Sequence, residues 1–469
     1  MKTLKYSACL LLILAYTMNA QTVPPGLENG LRHTLDSMRT VLGAKSLSAA
    51  IAFPDGALWK HADGISSAQP PVAVTPDDVY LIGSVTKTLT SACVLQLADE
   101  GLLSLDDSLH QWLDTIPYVD PNITIRQLLQ HTSGIFDVLL HPHNQDSMMA
   151  DITRIWTSEE LIERFISPPL FQPGTSWSYC NTNYFLLGMI IKKATGNPFY
   201  TEIRNRFYTP LGLNTFAIPA FEPLSSPVAH AWLDIDGDNI LDDANDFYMS
   251  HMALNSSAGA AGGYFATPAD CSRWMRTYMR GDLLPPAMMA EARTTVTAPG
   301  SQGGLYGLGL MKNQTDFLGY LAYGHGGDLV YHASSWYFPA KDISITVFTN
   351  DNNKNSWLLL PVVRELLRTY NNGVTTAIAP GQGATDAGLG IYPNPFRDRL
   401  TIELPAGNYK DGVEITLQDV LGKVIVSRIQ KPAGKSLQLD GFGNLTPGLY
   451  FGTLKTKDEG TKTFKIVKR

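Results

Sequence analysis

The chain has 469 residues, 44% of them apolar and 17% charged, with a formal net charge of −7; that composition fits a globular protein of two or more domains. After the first twenty residues no stretch offers the roughly 18 uninterrupted apolar positions of a membrane span, and no dense basic run with interleaved aromatics points to nucleic acid. Charge divides the chain: residues 391–469 hold 13 Lys+Arg and 8 Asp+Glu, a net of +5, against −12 for residues 1–390, so two separate units are expected.

Residues 1–20 combine a basic start (Lys2, Lys5), an apolar run from Ala8 to Ala15 and a small-residue cut site after Ala20. This is the pattern of a secretory signal peptide. Cys93, Cys180 and Cys271 then remain, an odd number without metal-ligand spacing, and read as small buried hydrophobes. Residues 26–43 place Leu27, Leu31, Leu35, Met38 and Leu42 on one helical face. Ser46–Phe53 and Ala57–Ala62, joined at Pro54-Asp55-Gly56, read as a β-hairpin.

The run from Ser84 to Glu100 reads as a helix, with Leu89, Cys93, Val94 and Leu97 at helical spacing and Gly101 just past its end. Ile123–Gln130 is a short helix, Asn183–Thr195 a helix closed by Gly196, and Thr267-Pro268-Ala269-Asp270 a helix start. Strands return after residue 304, most clearly in the alternating Ile343–Val347. The sheet is therefore drawn from both ends of the region with helices inserted between. Trp357–Tyr370 is a closing helix, residues 371–390 a linker rich in Gly, Ala and Thr, and residues 391–469 a run of short strands and turns.

Chemistry centres on Gly83-Ser84-Val85-Thr86-Lys87. Positions three apart share a helix face, about 5–6 Å between Cβ atoms, so Lys87 can reach Ser84 and, once neutral, serve as its base. A serine cap followed by a surface lysine is the plainer reading. Tyr179-Cys180-Asn181 supplies a tyrosine whose pKa an ammonium would lower and an amide that donates and accepts. In Tyr323-Gly324-His325-Gly326-Gly327-Asp328, placed before a strand near Tyr331, Gly327 would let a substrate backbone approach and His325 would contact an acidic group. Leu128–Gly134 gives a helix end and turn. A buried hydrogen-bonded turn and a strand-entry bend are the structural alternatives for the second and third of these.

Taken together, Gly83–Lys87, Leu128–Gly134, Tyr179–Asn181 and His325–Gly327 resemble, in order and spacing, the penicillin-recognising serine hydrolases. These include class C β-lactamases and serine D-alanyl-D-alanine carboxypeptidases. The resemblance covers about residues 30–368. It implies an α/β fold of the α+β type: an antiparallel sheet flanked by helices, with an inserted mainly helical region. Ser84 would be the nucleophile, Lys87 its activating partner, Tyr179 a general acid/base, Asn181 the holder of the substrate amide, and His325 a contact for the substrate carboxylate. The backbone N–H groups of Ser84 and Asp328 would form the oxyanion hole. Having H-x-G rather than K-T-G, the chain looks closer to a D,D-carboxypeptidase than to a class C β-lactamase. The substrates implied are D-amino-acid peptides, β-lactams or, in related esterases, esters; no cofactor is called for. A non-catalytic surface binding module is the reading from another class, and the absent G-x-S-x-G argues against an α/β-hydrolase.

Tyr392-Pro393-Asn394-Pro395-Phe396, Leu421-Gly422-Lys423, Leu445–Tyr450 and the basic end Lys465–Arg469 resemble the C-terminal sorting domain of the type IX secretion system. That implies a small β-sandwich over 391–469 read by an outer-membrane export machine, and a secreted or surface location reached through the periplasm of a Gram-negative bacterium. The expected organisation is a signal peptide over 1–20, a hydrolase domain over 21–370, a linker over 371–390 and the sandwich. One loop stands apart: Asp234, Asp236, Asp238 and Asp242 offer oxygens at calcium-loop spacing, yet the usual glycine and glutamate are missing, so a solvated acidic hairpin is the alternative.

Overall fold

The computed structural model describes residues 22–244, 252–377 and, of 390–468, all but 393–395, 405–408, 410, 411, 420–423, 433, 444, 446, 447 and 457–459. The expected signal peptide and residues 378–389 of the expected linker lie outside the described residues, as do several motif positions of the C-terminal unit.

Helix α1 (Pro25–Leu42) buries Leu27, Leu31, Leu35 and Met38, and Gly43 ends it in the left-handed conformation. Strands β1 (Ser46–Ala52) and β2 (Leu58–Ala68) form the hairpin, with β3 (Pro71–Ala73) at its outer edge. Helix α2 (Thr86–Asp99), α3 (Asn181–Thr195), α4 (Met252–Gly262) and α5 (Pro268–Arg280) make up much of the inserted region. The chain then returns to the sheet with β4 (Val296–Thr297), β5 (Leu305–Tyr306), β6 (Met311–Asn313), β7 (Ala322–Leu329), β8 (Tyr331–Phe338) and β9 (Ile343–Thr349), and α6 (Ser356–Ala377) closes the unit.

The nine strands run β3-β2-β1-β9-β8-β7-β6-β5-β4, each pair antiparallel. This ordering puts the two termini of the unit at the centre of one sheet. In β9 the sequence alternation is real, but both faces are buried. Ile343, Ile345 and Val347 pack with residues of α1 and α6, among them Leu31, Leu35 and Leu366. The polar face meets α5 instead, where Ser272 Oγ and Ser344 Oγ lie 2.7 Å apart.

Two elements depart from the sequence reading. The His325-Gly326-Gly327 stretch is no bend before a strand: it lies within β7, paired in register with β8 from Tyr323 to Leu329. Glycine weakens a strand locally, but the ladder on one side and the Gly83–Val85 turn on the other hold it extended. Helix α6 also runs past Tyr370 to Ala377, because Gly373 has no side chain and so lets the helix pack closely on α1; a Cβ there would meet Leu27 Cδ1 at 2.7 Å. Residues 371–377 are thus helix rather than linker.

The C-terminal residues form a three-stranded sheet (Gly390–Tyr392, Leu400–Glu403, Ser436–Leu439) and a four-stranded one (Val413–Asp419, Val424–Gln430, Gly448–Thr456, Gly460–Lys468). Their shared core includes Phe396, Ile402, Ile415, Leu439, Tyr450 and Ile466. This is the small sandwich that the motifs imply.

Candidate active site

Gly83–Val85 is a single 3₁₀ turn leading directly into α2. Ser84 is half-buried on that turn and Lys87, three residues on, is fully buried. Strand β7 lies against the turn at distances that only glycine allows. A Cβ on Gly327 would stand 2.0 Å from the Ile82 carbonyl oxygen and 3.1 Å from Ser84 N, and one on Gly83 3.0 Å from Asp328 N. The backbone nitrogens of Ser84 and Asp328 therefore border one narrow seam. Gly327 serves this close approach of chain to chain.

Lys87 Nζ lies 3.1 Å from Ser84 Oγ, 2.8 Å from Asn181 Oδ1 and 2.8 Å from the Ala261 carbonyl oxygen. The two carbonyl-type oxygens can only accept. A neutral Lys87 has two N–H bonds to give them, and its lone pair is left facing the Ser84 hydroxyl. Burial lowers its pKa from 10.5 to about 7, opposed in part by the nearby Asp137 and Cys180. The amine is thus substantially neutral near pH 7.

Tyr179 behaves differently from expectation. Lys87 Nζ lies over its ring, 4.8 Å from the centroid, and burial raises the phenol pKa well above 10, the neighbouring Ser84 hydroxyl opposing this only in part. Its Oη is buried and makes no hydrogen bond of good geometry. Tyr179 is therefore a protonated phenol in the resting site rather than a lowered-pKa relay.

His325 departs further. Nδ1 is 2.5 Å from the Gly326 carbonyl oxygen, which can only accept, so this nitrogen carries the proton. Nε2 then accepts from Tyr306 Oη at 2.9 Å. Burial, followed by the charge of Lys87, pushes the imidazole pKa down to about 3. A neutral ring with both nitrogens engaged has neither charge nor donor to offer a substrate carboxylate.

Asp137 and the imidazole of His131 have structural roles that the motif reading missed. Asp137 Oδ2 accepts the backbone N–H of Asn181 at 2.9 Å and its side-chain amide at 2.8 Å, which fixes Asn181 Oδ1 toward Lys87. Burial raises the Asp137 pKa, and the bonds from Asn181 and Leu139 counter it. His131 is fully buried at a left-handed φ of 64°. Its Nδ1 accepts the Cys180 N–H at 3.1 Å and its ring centroid lies 4.3 Å from that of Tyr179, so it props the Tyr179–Asn181 turn from below. The sole sequence hint of Asp137 is its place three residues past Gly134.

These groups surround a cleft of about 270 Å³, whose lining includes Ser84, Tyr179, Asn181, His325 and Asp328. The acidic loop lies elsewhere in the sequence and forms a separate cluster. Carboxylate oxygens of Asp234, Asp236 and Asp238 gather within 4.8 Å of one another. Asp242 stands outside that group and accepts the Ile235 N–H at 3.2 Å. Asp234 is bonded to the amides of Gly237 and Asn239, Asp236 to that of Asp238, and Asp238 to that of Ile240. These bonds tie the loop to its own amides and leave further lone pairs on the three carboxylates. Cys93, Cys180 and Cys271 are all free and buried.

Residues 36–360 match the family model described as Beta-lactamase, and residues 390–469 match that of the secretion system C-terminal sorting domain. Over 260 residues the chain is 32% identical to penicillin-binding protein 4 of Amycolatopsis lactamdurans, spanning 53% of this chain and 63% of that one. It is 28% identical over 220 residues to esterase EstB of Burkholderia gladioli, spanning 45% and 55% respectively. The matches thus span less than two thirds of these curated relatives. Among solved structures, a D-stereospecific amidohydrolase from Streptomyces sp. superposes with a TM-score of 0.61 at 29% identity, covering 69% of this chain and 94% of its own. With a single family model matching more than half of its length, the chain belongs to the Beta-lactamase family and carries a secretion-system sorting domain over residues 390–469.

Proposed function

We propose that this chain is an exported serine hydrolase that cleaves amide or ester bonds of small substrates through an acyl-enzyme on Ser84. The observation that carries this reading is the Lys87 amine: its N–H groups are claimed by Asn181 and Ala261, and its lone pair is left to Ser84. Lys87 takes the Ser84 proton as Oγ attacks the carbonyl carbon. The N–H groups of Ser84 and Asp328 receive the developing oxyanion, a kind of donor typically worth about 10²–10³ in kcat each. Tyr179, kept protonated by burial, donates to the departing nitrogen or oxygen and regains a proton from the Lys87 ammonium. Water then attacks the ester on Ser84, giving its proton to the neutral Lys87, which returns it to Ser84 Oγ as the acid product leaves. Asn181 orients Lys87 here, and holding the substrate amide is an additional role.

Likeness to a penicillin-binding protein and to a D-stereospecific amidohydrolase supports D-amino-acid amides, peptides or β-lactams as the substrate class. Likeness to an esterase, together with a His325 that has no donor left for a carboxylate, supports uncharged esters as the second reading. A D-Ala-D-Ala carboxypeptidase would need a different partner for the peptide's terminal carboxylate.

A fluorescent penicillin and a fluorophosphonate probe test the core of this proposal. Labelling is expected at Ser84, and Ser84→Ala should abolish it and lower turnover by roughly 10⁶, as for a nucleophile within a catalytic unit. Turnover that survives Ser84→Ala undiminished would remove Ser84 as the nucleophile, and unaltered protein with neither labelling nor turnover would leave only a binding module.

A further inference from the structure

At one end of the cleft the chain's own carboxylate occupies the place where an anion would be held. Asp328 Oδ1 accepts the Ser356 N–H at 2.6 Å and the His332 Nδ1–H at 2.7 Å, and Oδ2 accepts the Ser356 hydroxyl at 2.6 Å. Ser356 is the first residue of α6, so the helix end that favours negative charge is already served. Although burial works against it, these bonds from His332 and Ser356 hold the Asp328 pKa below its ordinary value. The side chain is 45% exposed and lines the cleft. A carboxylate has about four lone-pair sites; the three bonds leave one, on Oδ2.

A second acceptor lies beside it. The Ser356 hydroxyl gives its proton to Asp328, so it can only accept from Gln302, whose Nε2 is 3.0 Å away. That fixes the Gln302 amide, and its Oε1 is left buried with no partner at the cleft wall. The Trp357 indole, 47% exposed, borders the same end. Among the described residues lining the cleft there is no lysine and no arginine; Lys87 lies beneath, fully buried. A spare anionic acceptor beside an exposed indole, with no cation among the described lining residues, suits a positively charged group that carries N–H donors; the unpartnered Gln302 Oε1 is buried in the same wall.

We propose that this end of the cleft binds a substrate ammonium group, so that the enzyme selects amine-bearing amides and esters over carboxylate-bearing ones. This inference rests on the hydrolase reading above and narrows its substrate class. Asp328 acts here through its side chain, alongside the oxyanion role of its backbone N–H.

Two matched series on the full chain test it. One varies the acyl side: D-alanyl, N-acetyl-D-alanyl and N-succinyl-D-alanyl p-nitroanilides. The other varies the leaving side: the 2-aminoethylamide, propylamide and carboxymethylamide of N-acetyl-D-alanine, followed by chromatography. In at least one series kcat/KM for the ammonium compound should exceed that for the carboxylate by about tenfold or more, as attraction and repulsion across a partly exposed pair combine. Asp328→Asn should bring that ratio within about threefold. Because the ratio is read within each variant, a general loss of rate cancels. For the unaltered enzyme, raising salt from about 20 mM to about 500 mM should shrink the ratio several-fold. A ratio near one in both series, or one that neither Asp328→Asn nor salt reduces, overturns the proposal. Fluorophosphonate labelling of Ser84 in the same preparations separates the two readings: labelled enzyme without charge preference removes this inference alone, and unlabelled enzyme removes the hydrolase reading with it.

Discussion

Burial suits Lys87 to the role of base that we propose for it. Its pKa of about 7 lies where a general base is most effective near neutrality. Because the neutral amine is the active form, kcat/KM should rise as pH increases through about 7 and level off above it. Asp137 raises the Lys87 pKa, so Asp137→Asn should lower it and move that limb toward acid, by on the order of one pH unit. A pH profile of kcat/KM for both forms checks this; a limb that stays in place while kcat falls would make Asp137 a mere prop for Asn181. No limb from His325 is expected near pH 6, because its ring stays neutral there. Ser84 and Lys87 were legible in the sequence because a spacing of three at a helix start puts them on one face, and Asn181, 94 residues from Lys87, through the order and spacing of the motifs. Asp137 and the His131 imidazole were not. Their importance comes from contacts across 44 and 49 residues, and a chain read locally gives no distance between such positions.

Among the elements, the Gly83–Val85 turn and β7 form the candidate site by touching. The sequence reading found helices readily where caps spoke for themselves: Thr267 bonds the Asp270 amide at 3.2 Å with Pro268 behind it, and Gly196 closes α3 in the left-handed conformation. It lost β7, because glycines inside a strand carry little local propensity, and the pairing with β8 and the contact with the Gly83–Val85 turn hold that stretch extended. The seam itself gives a sharp prediction. Gly327→Ala puts a methyl 2.0 Å from a backbone carbonyl oxygen, where no flexible side chain can yield, so strand and turn must part. The two N–H groups that we propose as oxyanion donors would then separate, and kcat should drop by about 10²–10³ for each donor displaced. Thermal melting tells this local opening from general unfolding: a folded, labelling-poor variant is the expected result, and wild-type acylation would refute the seam as the source of the oxyanion hole.

For the whole molecule, two observations bear on how catalysis and export are divided. The sandwich has its own hydrophobic core, distinct from the two cores of the hydrolase unit, and the sorting-domain match begins at residue 390. We propose that the two fold independently. Because α6 continues to Ala377 and packs Gly373 on Leu27, a chain ending at Tyr370 should melt several degrees lower, as loss of about 1–2 kcal/mol would cause in a unit of this size, whereas one ending at Ala377 should not. The longer truncation should keep full kcat/KM and lose its destination. A carboxypeptidase trimming its own cell wall would have to work beneath the outer membrane, whereas we propose that the sorting domain directs the chain beyond it, so the expected substrates are external. Cells producing the full chain should then show activity at the surface or in the medium, and cells producing the chain cut at Ala377 should retain it in the periplasm. If the full chain stays periplasmic and shortens the cell's own stem peptides, the external-substrate reading falls and a wall-trimming enzyme takes its place.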